Sequence, residues 1–276
     1  MAHMSILLLV ISSLLLASTN AHDFIKYGYN GANGADKWGS LSSDFSLCSQ
    51  GKQQSPININ KNTTNYDSNL KQAPRNYVLT KATLINNGIN IVLKYDQGAG
   101  NLTLDGKIYA LTQMIWHSPS EHTIDGQSFP VELQLIHRSS DNHIAVVAIL
   151  YQYGSPDAFL LQIQDELEQL AKDKCTDEQE ARVPVGVVQT RALERRTRKF
   201  FRYVGSLTAP PCTEDVAWII LGKVREMTKA QAASLKAPLS AEYQSNARPA
   251  QPINGRTVQL YDELHNVKKA PSSKSD

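Results

Sequence analysis

Gln113-Met114-Ile115-Trp116-His117-Ser118-Pro119-Ser120-Glu121-His122-Thr123 and Val131-Glu132-Leu133-Gln134-Leu135-Ile136-His137 are the two runs whose reading decides the fold. A strand repeats every two residues, so Gln113, Ile115 and His117 share one face. Glu132, Gln134 and Ile136 do the same, while His137, three residues on from Gln134, faces the other side. Working outward, Ile89 to Leu93, Ile108 to Met114, Val131 to Ile136 and Ile144 to Tyr151 are short, rich in β-branched or aromatic residues and bounded by Gly, Asp or Asn, which predicts strands. Asp157 to Ala171 instead sets Phe159, Leu160, Ile163, Leu167 and Leu170 at helical spacing with charges opposite. Thr228-x-x-Gln231 has the form of a capping box opening a second helix. No internal repeat is present, which excludes solenoids and propellers.

The chain has 276 residues and a formal net charge of +2. Single sheet-based domains of about 200 to 250 residues are common, so residues 22–267 are read as one domain. Met4 to Leu16 is an uncharged apolar run followed by Ala17-Ser18-Thr19-Asn20-Ala21, the pattern of a secretory leader over 1–21 cleaved near His22. The run is shorter than the roughly 20 residues of a spanning helix, so no membrane span is expected. That reading predicts secretion to the extracellular space or apoplast. Three cysteines suit an oxidising route, and Asn62-Thr63-Thr64 and Asn101-Leu102-Thr103 are glycosylation sequons at Asn62 and Asn101. No long basic stripe is present, which argues against nucleic acid. The cluster Arg191, Arg195, Arg196, Arg198, Lys199 and Arg202 is expected to be a solvated segment balanced by nearby acids. The tail 268–276 is polar and expected to be disordered.

Six further segments carry a resemblance. Tyr27-Gly28-Tyr29 with Lys37-Trp38-Gly39, Gln53-Gln54-Ser55-Pro56-Ile57, Asn86-Asn87-Gly88, Gly205 to Glu214, Val216-Ala217-Trp218 and Asn246 to Pro252 follow one another in the order of the α-carbonic anhydrase family, which this chain resembles over most of its length. The resemblance implies a mainly β fold with peripheral helices (α+β), built on a central, twisted, mostly antiparallel sheet with a conical active-site cavity. It also implies a disulfide between Cys48 and Cys212, which leaves Cys175 as a free surface thiol. In the family, zinc is held by a His-x-His pair and a third His on the antiparallel neighbour. Those positions here are Ile115, His117 and Gln134. One imidazole remains where a catalytic zinc needs about three protein ligands and a water, so zinc is not expected as a cofactor. His122, His137 and His143 are expected to be hydrogen-bonded structural histidines rather than replacements.

The resemblance assigns the surroundings as well. Gln113 and Glu132 stand where partners of the first and third imidazoles belong, and the Asn246 backbone where the partner of His117 belongs. Without a zinc-bound imidazole, desolvation is expected to push the Glu132 pKa up unless Gln134 or another donor satisfies it. Thr208 and Glu121 match the pair that passes a directional hydrogen bond from threonine to glutamate. Ile89 stands at the proton-shuttle position and Ala209 where many members carry a hydroxyl. With Ile136, Val146, Leu207, Val216 and Trp218 as walls, the pocket is expected to suit a small organic molecule.

The functional expectation is a secreted plant protein that has lost zinc-dependent CO2 hydration. Its pocket would serve a metal-independent enzyme of alkaloid metabolism that joins imine-type precursors in a Mannich-like step. His117, Glu132, Glu121 and Thr208 are the candidate catalytic residues, and a cyclic imine or amine is the candidate partner. Homo- or hetero-oligomers with a related chain are allowed. The alternatives are a non-catalytic protein, either storage (dioscorin-like) or ligand- or protein-binding, and residual zinc hydratase or esterase activity.

Overall fold

The computed structural model describes residues 27–173, 180–194 and 198–265. The leader 1–21, Cys175, Arg195, Arg196 and the tail 268–276 lie outside the described residues. Eight strands position the cavity: β1 (Thr80–Asn86), β2 (Ile91–Tyr95), β3 (Lys107–His117), β4 (Val131–Arg138), β5 (Ile144–Tyr153), β6 (Ala181–Val188), β7 (Lys199–Gly205) and β8 (Val216–Leu221). They lie in the order β6-β1-β2-β3-β4-β5-β8-β7 within a sheet of 13 strands among the described residues. Neighbours in this series are antiparallel except β5 and β8, which run parallel.

Register follows from the alternation of the two deciding runs. Ile115 lies opposite Gln134, and His117 opposite Glu132. Leu133, Leu135, Met114, Val147 and Ile219 turn to one face and join the main core, while Ile136, Val146, Ala148, Trp218 and Ile220 turn to the other and form a second core. A one-residue slip would exchange these sets, so both buried faces hold the register. His137 faces the main core, where Tyr77 Oη lies 2.9 Å from its Nε2.

Two predicted boundaries move. The run from Ile89 becomes a strand only at Ile91, because Asn87 Oδ1 accepts from the backbone N–H groups of Ile89 and Asn90 at 3.1 and 2.7 Å and folds them into a turn. The helical pattern from Asp157 becomes α-helix only at α1 (Gln164–Lys172). Asp157 Oδ1 accepts from the N–H groups of Phe159 and Leu160, and a tighter 3-10 turn over Leu160–Ile163 carries the first apolar contacts. The second helix, α2 (Lys229–Lys236), starts as expected, with both bonds of the Thr228–Gln231 capping box formed.

The distant motifs meet at one buried knot. Cys48 is bonded to Cys212, 164 residues away. Arg248, 2 % exposed, donates to Gln54 Oε1, Ser55 O and Cys48 O, each at 2.8 Å, and lies over the Trp38 ring. Gln54 Nε2 reaches Cys212 O, and Ser55 and Ser206 exchange backbone-to-hydroxyl bonds. Gly205 is required here, since a side chain would strike Ser55 Oγ. Of the basic cluster, Arg191 faces Glu194, Arg198 faces Glu263, Lys199 faces Asp262 and Arg202 bonds Asp105, which is the balanced segment expected. Asn62 and Asn101 are exposed. No helix among the described residues is long and apolar enough to cross a membrane.

Closing so long a loop restricts the unfolded chain. Replacing Cys48 and Cys212 with Ser is expected to lower the unfolding free energy by about 2 to 5 kcal/mol. Denaturant titration of both forms measures this, and a loss below about 1 kcal/mol would show that the Arg248 knot alone holds the two segments.

Candidate functional site

A cavity of about 310 Å³ opens on the second face of the sheet, at the small end of the usual range for ligand sites. Strand register sets its depth axis. His117, opposite Glu132, is deepest; next come Val92, Ile115 and Gln134 in one row; Lys94, Gln113 and Ile136 form the row nearer solvent. Leu207, Thr208, Ala209 and Pro210 close one side, with Val146 and Trp218 behind them.

His117 is 2 % exposed, and its Nδ1 lies 2.7 Å from the Asn246 carbonyl oxygen. A carbonyl only accepts, so Nδ1 carries a proton, and the second ring nitrogen is Nε2. That nitrogen lies 3.7 Å from Glu121 Oε2. The Asn246 backbone is thus the partner expected for His117, which lines the cavity.

Gln134 is turned away from the role its position implies. Its Nε2 donates to Glu121 Oε2 at 2.7 Å and to Glu132 Oε1 at 3.0 Å, so both amide hydrogens are committed to buried carboxylates. Glu132, fully buried, also accepts from the backbone N–H groups of Glu121 and His122 at 3.0 and 2.8 Å and from His122 Nδ1 at 2.8 Å. Burial alone pushes its carboxyl up. The charge and hydrogen bond of His122, the backbone N–H and the Gln134 amide outweigh that, and Glu132 sits below the ordinary carboxylate value. The exception stated for the upward shift therefore applies, since Gln134 and three other donors satisfy the carboxylate. Four donors brace Glu132 under the floor.

The chain of bonds continues outward. His122 Nε2 lies 2.7 Å from Tyr203 Oη, which lies 2.7 Å from Ser55 Oγ. His122 is thus the structural histidine expected. His137 is as well, held by Tyr77 and the Ala145 carbonyl oxygen. His143 differs: it stands just before β5, exposed, beside Asp141 and Lys107 on the surface.

Other expectations need correction. Glu121 and Thr208 do not form the expected pair, because Glu121 gives Oε2 to Gln134 and Oε1 to the Arg248 backbone N–H at 2.9 Å. Thr208 lines the cavity on its own account. Ile89, buried in the main core, and Val216, buried in the second, are not among the residues that line the cavity. Gln113, Ile115, Gln134, Ile136, Val146, Leu207, Ala209 and Trp218 line it as read from the sequence. Missed were Tyr27, Ile85, Asn87, Asn90, Val92 and Pro210 inside, and Lys94, Arg138, Glu180 and Arg182 at the mouth. Val92 and Lys94 were within reach of the period-two argument, since both share the face of β2 that meets Ile115 and Gln113. Glu180 and Arg182 enter from an edge strand distant in sequence, and nothing local announces them.

The comparisons with known proteins agree with this geometry. The profile of eukaryotic-type carbonic anhydrases matches residues 33–262, and the chain belongs to that family. It is similar to alpha carbonic anhydrase 7 of Arabidopsis thaliana, with 39 % identity over 253 residues, 91 % of this chain and 90 % of that protein. It is also similar to dioscorin dioA3 of Dioscorea japonica, with 36 % identity over 261 residues, 93 % of this chain and 94 % of that one. Among solved structures, dioscorin complexed with ascorbate superposes with a TM-score of 0.83 at 34 % identity, covering 87 % of this chain and 99 % of that one.

The family implies zinc, and the donor set here does not fit it. Ile115 has no lone pair, and Gln134 offers only a neutral amide whose nitrogen is drawn between two carboxylates. Among the described residues no group of three or more His, Cys, Asp or Glu is arranged to hold a metal ion.

Burial pushes the His137 pKa down from 6.5 to about 3. The unfolded chain therefore binds a proton that the folded chain refuses, and stability present above pH 6.5 falls as the pH drops, by up to about 1.4 kcal/mol per pH unit. Chemical denaturation between pH 6.5 and 5.5 is expected to show this slope in the native protein and a flatter one in His137→Gln. Equal slopes would count against a buried neutral ring.

Proposed function

We propose that this protein uses the carbonic anhydrase scaffold without zinc hydration, as a metal-independent catalyst that joins small imine-type fragments in plant specialised metabolism, the chemistry of alkaloid scaffolds. The observation that carries this reading is the pinning of the Gln134 amide between Glu121 and Glu132, which removes a ligand position from the floor and leaves His117 Nε2 as its basic nitrogen. In a Mannich-like step the α-carbon of one fragment attacks the imine carbon of the other. The C–H proton leaves to a base, the imine nitrogen gains a proton, and no electrons enter or leave. His117 Nε2 suits both transfers, taking the α-proton and returning it to the nitrogen, with Glu121 3.7 Å away to stabilise the transient imidazolium. The apolar walls hold the two fragments together and exclude water, which supplies the entropic part of the acceleration. The apolar leader and the Cys48–Cys212 disulfide support a secreted, apoplastic location.

The likeness to dioscorins favours a second reading, a ligand-binding or storage role without turnover, and the ascorbate complex of that relative supports a small organic molecule as ligand here. Incubation of the full chain with 1-piperideine and a β-keto acid, followed by mass spectrometry, separates the two. Coupled product is expected, lowered at least about 100-fold in His117→Ala and unchanged by a chelator. Ligand-raised melting temperature without product would favour the second reading.

The double substitution Ile115→His with Gln134→His is expected to bind one equivalent of zinc by elemental assay and to hydrate CO2 only weakly, since position 89 has no imidazole to carry protons. One equivalent of zinc in the unaltered protein, purified without chelator, would overturn the metal-free reading.

A further inference from the structure

We propose that Lys94 and Arg138 form a carboxylate clamp at the mouth of the cavity, so that the ligand is a small organic acid held with its carboxylate outward and its reacting end toward His117. This rests on the reading of the cavity as a small-molecule site. Lys94 lies two residues beyond Val92 on β2, opposite Gln113, which lies opposite Ile136; Arg138 is the next residue of that face toward solvent on β4. Two strand spacings and one side-chain repeat put their backbones roughly 12 Å apart. Both line the cavity and both are exposed.

At the mouth, ion pairing separates these two from the third cation. Arg182, the third cation at the mouth, is met by Glu180 at 2.5 Å. Lys94 and Arg138 have no ion pair among the described residues. Two unpaired cations at the neck of a low-dielectric cavity focus their field on the opening, and the guanidinium fork matches the two oxygens of a carboxylate. Between rim and floor, Val92, Ile115, Ile136 and Val146 offer hydrocarbon contact to a ring. The cavity is therefore graded from cationic rim through apolar waist to imidazole.

The test uses paired probes, pipecolate with pipecolamide and benzoate with benzamide, titrated calorimetrically into the full chain and into Lys94→Gln/Arg138→Gln. Each acid is expected to bind the native protein about tenfold tighter than its amide at low salt, from two exposed charge contacts of ordinary strength. The preference is expected to shrink at 0.3 M salt, where the Debye length is roughly threefold shorter than at 0.03 M, and to vanish in the double variant while amide binding is retained. Equal binding of acid and amide by the native protein, or an acid preference that survives in the variant, overturns the clamp alone. Absence of binding by all four probes overturns the small-molecule reading and the clamp with it.

Discussion

A buried carboxylate with four donors is the constraint on which the site depends. Glu132 has no contact with water, and an unpaired charge there would be far too costly for a domain of ordinary stability. The backbone N–H groups of Glu121 and His122, the His122 ring and the Gln134 amide remove that penalty, and in doing so they set the path of the 118–122 turn and the rotamers of two side chains. His122 then hands the constraint to Tyr203 and Ser55, and Gln134 hands it to Glu121 and the Arg248 backbone. One hydrogen-bonded chain thus ties together the opening segment, the two central strands, the threonine loop and the closing segment. Residues with no reaction to perform remain indispensable to the cavity's shape.

Within that frame the substitutions at the ligand positions become consistent with each other. Gln134 supplies two N–H donors to carboxylates that would otherwise face each other across the floor, a task an imidazole committed to a metal cannot perform. Ile115 adds an apolar surface in the same row. The two carboxylates beside Gln134 are therefore hydrogen-bonded and not left facing each other. His117 keeps its carbonyl partner at Asn246, which fixes the orientation of the ring.

Much of this was legible from local pattern. Period-two alternation in the 113–117 and 131–137 runs put His117 and Gln134 on the cavity face and His137 on the other, as found. Thr228 and Gln231 announced a helix start through a mechanism that operates within four residues. Ile89 was misplaced because the Asn87 side chain captures two backbone N–H groups and turns the chain before the strand begins, a local bond that competes with the strand pattern. The start of α1 moved for the same class of reason, with Asp157 capturing the first two free N–H groups.

The sequence by itself determined which side chains share a face, which segments belong to the family fold, and that too few nitrogens occupy the metal positions, since each depends on residue identity and on strand periodicity. Only the tertiary structure decided the four hydrogen-bond donors around Glu132, the pairing of Glu121 with Gln134 in place of Thr208, and the charged mouth of the cavity. Those depend on donors brought together from residues far apart in the chain, and the free energy of a buried charge is set by all its neighbours at once.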